Sequence, residues 1–267
     1  MTLAAVVTGN ALSRTTLAAP AAARAAAAAA AAACPMPFLR NFMLTEATEA
    51  ATLVQQLQKA LKSAAGKMAG GSFSVQLTSG TYATSTSIVV PENTCLQVTG
   101  TGTEAVALDG SLAQPQAGPL FVINAGAKLI VEGVTLRGGH SKASGGAIRV
   151  DDDESIGGGS GGEVHLVNVA FEDNFSEVSG GALFLGANSV ARVRGGSFIN
   201  NEAAGLDGDF GGGAIFQTED SVAYVDGVLF VNNRANKGSG VMVDFHAHSH
   251  ISNCMFSRHT ASGHSAD

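Results

Sequence analysis

"FEDNFSEVSGGALFLG" (171–186), "FINNEAAGLDGDFGGGAIFQ" (198–217) and "FVNNRANKGSGVMVD" (230–244) share one order of residue types. Each opens on Phe-x-x-Asn or its equivalent, passes a glycine-rich step and closes on a short apolar run. Aligned on the apolar residue before the Asn step, a column reads Leu136, Phe171, Phe198, Phe230 and Phe256. Two residues earlier stand Val134, Val169, Gly196, Val228 and Cys254, and five earlier Val131, Leu166, Val193, Val225 and Ile251. Three earlier come turn formers only: Gly133, Asn168, Gly195, Gly227 and Asn253. Asn174, Asn201 and Asn233 lie three residues after the column, with His259 in the last place. The column recurs after 35, 27, 32 and 26 residues, so a short unit carries insertions.

Units of two or three short strands, stacked so that like sits on like, predict an all-β fold: a single right-handed parallel β-helix. The apolar columns should face inward, so Val131, Val134, Leu136, Leu166, Val169, Phe171, Val193, Phe198, Val225, Val228, Phe230, Ile251 and Phe256 are expected to be buried. The Asn column should form an internal hydrogen-bonded ladder. Composition agrees: 34 Gly, 14% charged residues and no Trp suit short strands and tight turns. After Phe256 the motif decays and nothing blunts the strand edges of the last unit. Two readings follow, a piece of a longer repeat protein or an assembly surface, and the isolated chain is expected to self-associate or to fray from Val241 onward.

The chain divides into three parts. Residues 1–45 contain no Asp or Glu, three Arg and an unbroken Ala run at 25–33. That composition fits a secretory leader, an organelle transit segment or a low-complexity extension. Residues 46–69 carry Leu53, Val54, Leu57, Leu61 and Met68 on one face at helical spacing, with Gly70-Gly71 as the stop. This amphipathic helix, within 46–71, should cap the first coil of the β-helix, which takes up 72–267 and is read as incomplete at its C-terminus. Three cysteines cannot all pair, and with Cys34 in the leader and Cys95 and Cys254 several coils apart, all three are expected to be free. A net charge of −7 without a basic cluster argues against nucleic acid as partner. No strongly apolar run of spanning length outside the Ala tract predicts a membrane helix.

Gly-Gly-Ala-Ile (145–148), Phe-Glu-Asp-Asn (171–174), Gly-Gly-Ala-Leu (180–183), Phe-Ile-Asn-Asn (198–201), Gly-Gly-Ala-Ile (212–215) and Phe-Val-Asn-Asn (230–233) alternate in order. They resemble the GGA[ILV] and FxxN tetrapeptides of the polymorphic outer membrane protein repeat, known from chlamydial adhesins and other surface proteins. The resemblance covers 72–267 and is strongest from 133 onward. It implies the pectin-lyase-like β-helix fold and a role in adhesion at the cell surface. The last unit departs from the pattern, with Phe256-Ser-Arg-His259 and Ser239-Gly240-Val241.

His165, Arg192, Tyr224 and His250 share one outward column, with Arg194 and Asp226 two positions on. Rings that stack and a guanidinium that forks onto hydroxyls or carboxylates suit a polysaccharide or a surface protein as partner. A second outward column holds Arg149, Phe184 and Phe216, an apolar stripe that is either an interface or is covered by a loop. The acidic loop Asp151, Asp152, Asp153, Glu154 could hold Ca²⁺ or be a solvated loop. In "DFHAHSH", His246, His248 and His250 alternate, as on one strand face, where Zn²⁺ or solvent would be the neighbour. No carboxylate pair with an adjacent base is evident, so no catalytic residue is assigned and no pectinolytic activity is expected. The function expected from the sequence is a non-enzymatic recognition module, secreted or on the cell surface, or organelle-targeted if the leader is a transit segment. The alternative is a polysaccharide lyase or glycoside hydrolase of the same fold.

Overall fold

Four backbone corners recur along the chain, and each is built by a residue that tolerates a positive φ. The turn-former column Gly133, Asn168, Gly195, Gly227 and Asn253 has φ of 52–68°. A second column, Gly138, Asp173, Asn200, Asn232 and Arg258, has φ of 53–62°. The first glycine of each Gly-Gly-Ala, at 145, 180 and 212, and Gly238 after them, has φ of 54–77°. Asn93, Gly126, Asn188, Asp220 and His246 form the fourth, at 56–69°. Left-handed backbone is cheap for Gly and tolerable for Asn and Asp, so the sequence sets the bends.

In the computed structural model the described residues are 34, 38, 40–44, 50–64, 71–101, 105–112, 118–151, 161–206 and 210–261. Among them the segments between corners make three sheets, of thirteen, five and six strands. Every strand pairing is parallel, apart from one isolated antiparallel bridge between Gly118 and His140. One circuit of the chain runs through Lys128–Glu132 and Thr135–Arg137 in the large sheet, His140–Ser141 in the five-stranded sheet and Ile148–Val150 in the six-stranded sheet. The next returns to the large sheet as Glu163–Glu172, in register with the last: Lys128 beside Glu163, Leu136 beside Phe171. Residues 152–160, part of the insertion that lengthens this circuit, lie outside the described residues.

The predicted columns are in register, and eleven of the thirteen named residues are buried, Phe171, Phe198 and Phe230 completely. Their rings stack at 4.4 and 5.0 Å with planes within 6°. Ile251 and Phe256 correct the expectation. They pair with Val225 and Phe230 as predicted but are 42% and 45% exposed, because no described strand lies beyond them.

Asn174, Asn201 and Asn233 form the internal ladder. Each Nδ2 donates along the row, Asn174 to Asn201 Oδ1 and Asn201 to Asn233 Oδ1, both at 2.9 Å. It also donates back to the carbonyl of Leu136, Phe171 or Phe198. The backbone N–H groups of Asn174 and Asn201 donate to the next Oδ1, and that of Asn233 to His259 Nδ1 at 3.2 Å. That bond makes Nδ1 an acceptor, so a neutral His259 carries its proton on Nε2.

The Gly-Gly-Ala signature has two separate causes. Gly180 needs its φ of +65°, whereas a Cβ on Gly181 would lie 2.2 Å from the carbonyl oxygen of Gly213 in the next circuit. The register places Gly238-Ser239-Gly240 opposite Gly212-Gly213-Ala214, one residue earlier than the sequence alignment. Ser239 is tolerated in the second place because no described carbonyl of a later circuit crowds it.

The helix spans Ala50–Ala64; the rest of its predicted range lies outside the described residues, as does Met68. Leu57 and Leu61 are buried, and Val54 and Leu57 face Val75, Leu77, Tyr82, Ile88 and Phe121 of the first circuits. Gln58 Nε2 donates to the Ser87 carbonyl at 2.6 Å and fixes the helix over that end.

Two features lie in the predicted leader. Arg40–Leu44 is a strand that pairs with Gly71–Leu77 at the edge of the large sheet. Cys34 is disulfide-bonded to Cys95 with Cα atoms 5.6 Å apart, which corrects the expectation of three free thiols; Cys254 alone is free. The edge strand explains it: Cys95 lies in Thr94–Gly100, the next strand but one, so the chain before residue 40 reaches it across the outer sheet face. There Cys34, Cys95 and Ile130 form a small buried cluster with Phe38 against it. The bond closes a 61-residue separation, for which loop entropy gives about 4 kcal/mol. Cys34→Ser and Cys95→Ser should each lose about that much in denaturant unfolding, the double variant no more than either. Additive losses would reject the pairing.

Candidate functional site

On the outer face of the large sheet, Ile130, His165, Arg192, Tyr224 and His250 occupy adjacent strands in register. Side chains point outward here because strand residues alternate, with Val131, Leu166, Val193 and Val225 taking the inner positions. The Arg192 guanidinium lies over the Tyr224 ring, 5.5 Å from its centroid. Tyr224 stacks on His250 at 4.9 Å with planes 6° apart. The column predicted from sequence is therefore brought together, with Tyr224 44% exposed.

One member departs from the expected role. His165 is buried, so it supports the surface rather than forming it. Its Nε2 is 2.6 Å from Oε1 of Glu163, which also takes Arg192 as partner and lies 3.4 Å from Lys128 Nζ. Glu163 is the hub that sequence reasoning passed over. The signal was available: Glu163 stands two residues before His165 and so shares its face.

The Glu163 carboxyl is held at about 2, against an ordinary 4.5. The hydrogen bond with His165 does most of this. Burial opposes it, and the charges of His165, Lys128 and Arg192 add to it. A carboxyl lowered in the folded state contributes stability above its unfolded value that is lost as pH falls from about 4.5 to about 2. With 34% of the side chain exposed, screening by solvent reduces the effect. Glu163→Gln should flatten the stability profile within that window. A profile identical to the parent between pH 2 and 4.5 would refute the hub.

Arg194 and Asp226 pair in register two positions along. Asp226 accepts from Ser252 Oγ and Asn253 Nδ2, each at 2.8 Å. These bonds lower its carboxyl, Ser252 first, with the Arg194 charge helping. Asp226 thus holds the last circuit, while Arg194 remains exposed beside the ladder.

The acidic loop predicted as a Ca²⁺ site falls mostly outside the described residues. Asp151 receives both Arg149 Nε at 2.7 Å and a second guanidinium nitrogen at 3.3 Å. Asp152, Asp153 and Glu154 lie outside the described residues. Among the described residues no group of three or more His, Cys, Asp or Glu is placed to hold a metal. His246, expected on a strand with His248 and His250, sits instead in a turn at φ 58°, 3.9 Å from Glu219. The strand begins only at His248, because residues 244–247 repeat the fourth corner, closed by the Ala247 N–H donating to the Asp244 carbonyl. Phe184 and Phe216 stack at 5.9 Å, but Phe216 is only 4% exposed, so this column is no open apolar stripe. Among the described residues no helix is long and apolar enough to cross a membrane.

The chain matches no family model, no curated protein and no solved structure.

Proposed function

We propose that the chain is a single right-handed parallel β-helix of the pectin-lyase-like type, akin to the polymorphic outer membrane protein repeats. In this reading it acts without catalysis as a recognition module outside the cell or on its surface, and carbohydrate is its ligand. The observation that carries this is the stack of Arg192, Tyr224 and His250: the two rings lie face to face with planes 6° apart, and the Arg192 guanidinium lies over the other face of Tyr224. The exposed His250 ring at the end of this stack, backed by Tyr224, offers a face for the apolar side of a sugar, while Arg192 and Arg194 supply donors for its hydroxyls. The Glu163 ion pairs hold Arg192 in place, so little side-chain freedom is lost on binding. The fold reading is supported by the parallel register repeated from circuit to circuit. The extracellular reading is supported by the Cys34–Cys95 disulfide, since such bonds persist in oxidising compartments.

An immobilised panel of neutral and acidic oligosaccharides, probed with the full chain, tests this. Tyr224→Ala should weaken binding to the retained ligand about ten-fold, ~1.4 kcal/mol, with an unchanged unfolding midpoint. Failure to retain any oligosaccharide, or equal binding by Tyr224→Ala, would overturn the reading. Release of reducing ends or unsaturated product from the bound sugar would favour the lyase or hydrolase alternative.

A further inference from the structure

The two ends of the stacked circuits are treated differently. At one end the helix Ala50–Ala64 lies over the first circuits, with Val54, Leu57, Ala60 and Leu61 buried. At the other, the last described circuit, residues 241–261, presents Ile251 and Phe256, the open ends of columns buried everywhere else. Phe245 at 67% exposed and Val243 at 43% adjoin them. The strands Val241–Val243, His248–Ser252 and Met255–Ser257 are each paired on one edge only among the described residues. Free edges of this sort are ordinarily blunted by Lys, Glu or Pro, and none of these occurs in 241–261.

We propose that this face is the interface of a closed two-fold dimer, in which the last circuit of one copy docks on the last circuit of a second. Three observations select a second copy as the occupant. First, the chain carries a net charge of −7, which opposes self-association over most of its surface. Residues 241–261 contain one acid, Asp244, and one base, Arg258, so here a copy meets no like-charge field and a strongly charged foreign partner finds no complement. Second, at the opposite end the helix lies against Gly80–Ala83 and Ile88–Val90 and closes the apolar interior, so head-to-tail stacking cannot continue the inner columns and end-to-end contact is the arrangement that can. Such contact is isologous and closes at two. Third, the circuit supplies a face of sufficient size: a stable interface engages about 20–30 residues a side, and 241–261 is one complete circuit of the three sheets.

The inner columns then continue across the junction. Phe256, already stacked on Phe230 at 4.5 Å, is covered in turn by the partner's last circuit. A strand meeting its own copy about a two-fold axis runs antiparallel to it, so the junction would be the one antiparallel seam in an otherwise parallel stack.

Sedimentation equilibrium of the full chain across a concentration series tests the proposal. The expected result is a monomer–dimer equilibrium with a limiting mass twice the monomer's 26.8 kDa. Ile251→Lys, with its long stem on the open rim, should weaken the dimer at least ten-fold while its circular dichroism spectrum and unfolding midpoint stay close to the parent's. Met255→Glu, 65% exposed on the edge strand Met255–Ser257, serves where Ile251→Lys fails to fold, since it sets two like charges across the seam. In the parent, amides of 248–257 should gain hydrogen-exchange protection as concentration rises, and those of 190–226 should not. A monomer at all concentrations would overturn the proposal; one with protected 248–257 amides would assign the cover to residues 262–267 instead. Open-ended growth beyond the dimer, or a dimer that Ile251→Lys and Met255→Glu leave intact, would overturn it as well.

Discussion

Phe198→Ala should lower the free energy of unfolding by about 3–5 kcal/mol, measured by denaturant titration. Phe198 is wholly buried, with Phe171 4.4 Å away on one side and Phe230 5.0 Å away on the other. Removing the ring leaves two parallel rings facing a void. They cannot close it, because strand hydrogen bonds hold neighbouring circuits about 4.8 Å apart. The site therefore belongs at the costly end of the range for such truncations. Phe256→Ala is the internal comparison: it has the same residue type and column position, but 45% exposure and a ring neighbour, Phe230, on one side of the stack. It should cost less than half as much. Equal losses at the two positions would show that the column is not the core.

Asn201→Ala should cost about 2–5 kcal/mol. The side chain makes four hydrogen bonds, accepting from the Asn174 N–H and Nδ2 and donating to the Phe171 carbonyl and Asn233 Oδ1. Its loss strands groups on both adjoining circuits with no water at hand, at roughly 1–3 kcal/mol for each left without a partner. Asn201→Asp should be no milder, since a carboxylate cannot donate and its charge would be buried. Asn200 is the control. Its amide joins a second row, from Asp173 through Asn200 to Asn232, that lies in solvent on the outer side of the corner. Asn200→Gly keeps the left-handed backbone and should cost only a few tenths of a kcal/mol. If the two substitutions cost the same, the inner ladder has no special standing.

The corners and the columns were readable from sequence because each is set by local chemistry. A left-handed corner accepts few residue types, and an inner position takes apolar residues, small Ser or Thr, or the self-pairing Asn. Both constraints recur at the same place in each unit, so insertions do not hide them. The platform of Arg192, Tyr224 and His250 was readable for the same reason: register follows from the repeat, and alternation gives the face. What escaped notice depends on reach instead of register. Glu163 becomes a hub because Lys128 and Arg192 turn toward it from the two neighbouring strands, beside His165 on its own. The strand Arg40–Leu44 has no like-typed counterpart at the repeat spacing and follows an Ala-rich stretch, so composition assigned it to the leader. Cys34 was misjudged with it. His246 was misread because an imidazole is an uncommon choice for a corner that Asn188 and Asp220 fill in earlier circuits.

The parallel register also bears on how the chain acquires its structure. The partners of Glu163–Glu172 lie one circuit behind or ahead, Leu136 before Phe171 and Phe198 after it, and Phe198 pairs in turn with Phe230. Among the described residues no paired strand waits for a distant part of the chain. A polypeptide leaving the ribosome can therefore lay down each circuit on the one before, each addition closing a loop of about 30 residues at modest entropic cost. The barrier should sit at the first pair of circuits to associate, and later ones should add downhill, as in a zipper. The helix and the Cys34–Cys95 bond both lie at the end that is synthesised first, so a finished seed is available before most of the stack exists. Growth then proceeds in one direction, from N-terminus to C-terminus, and the rows of Phe and Asn serve as the template for each new layer.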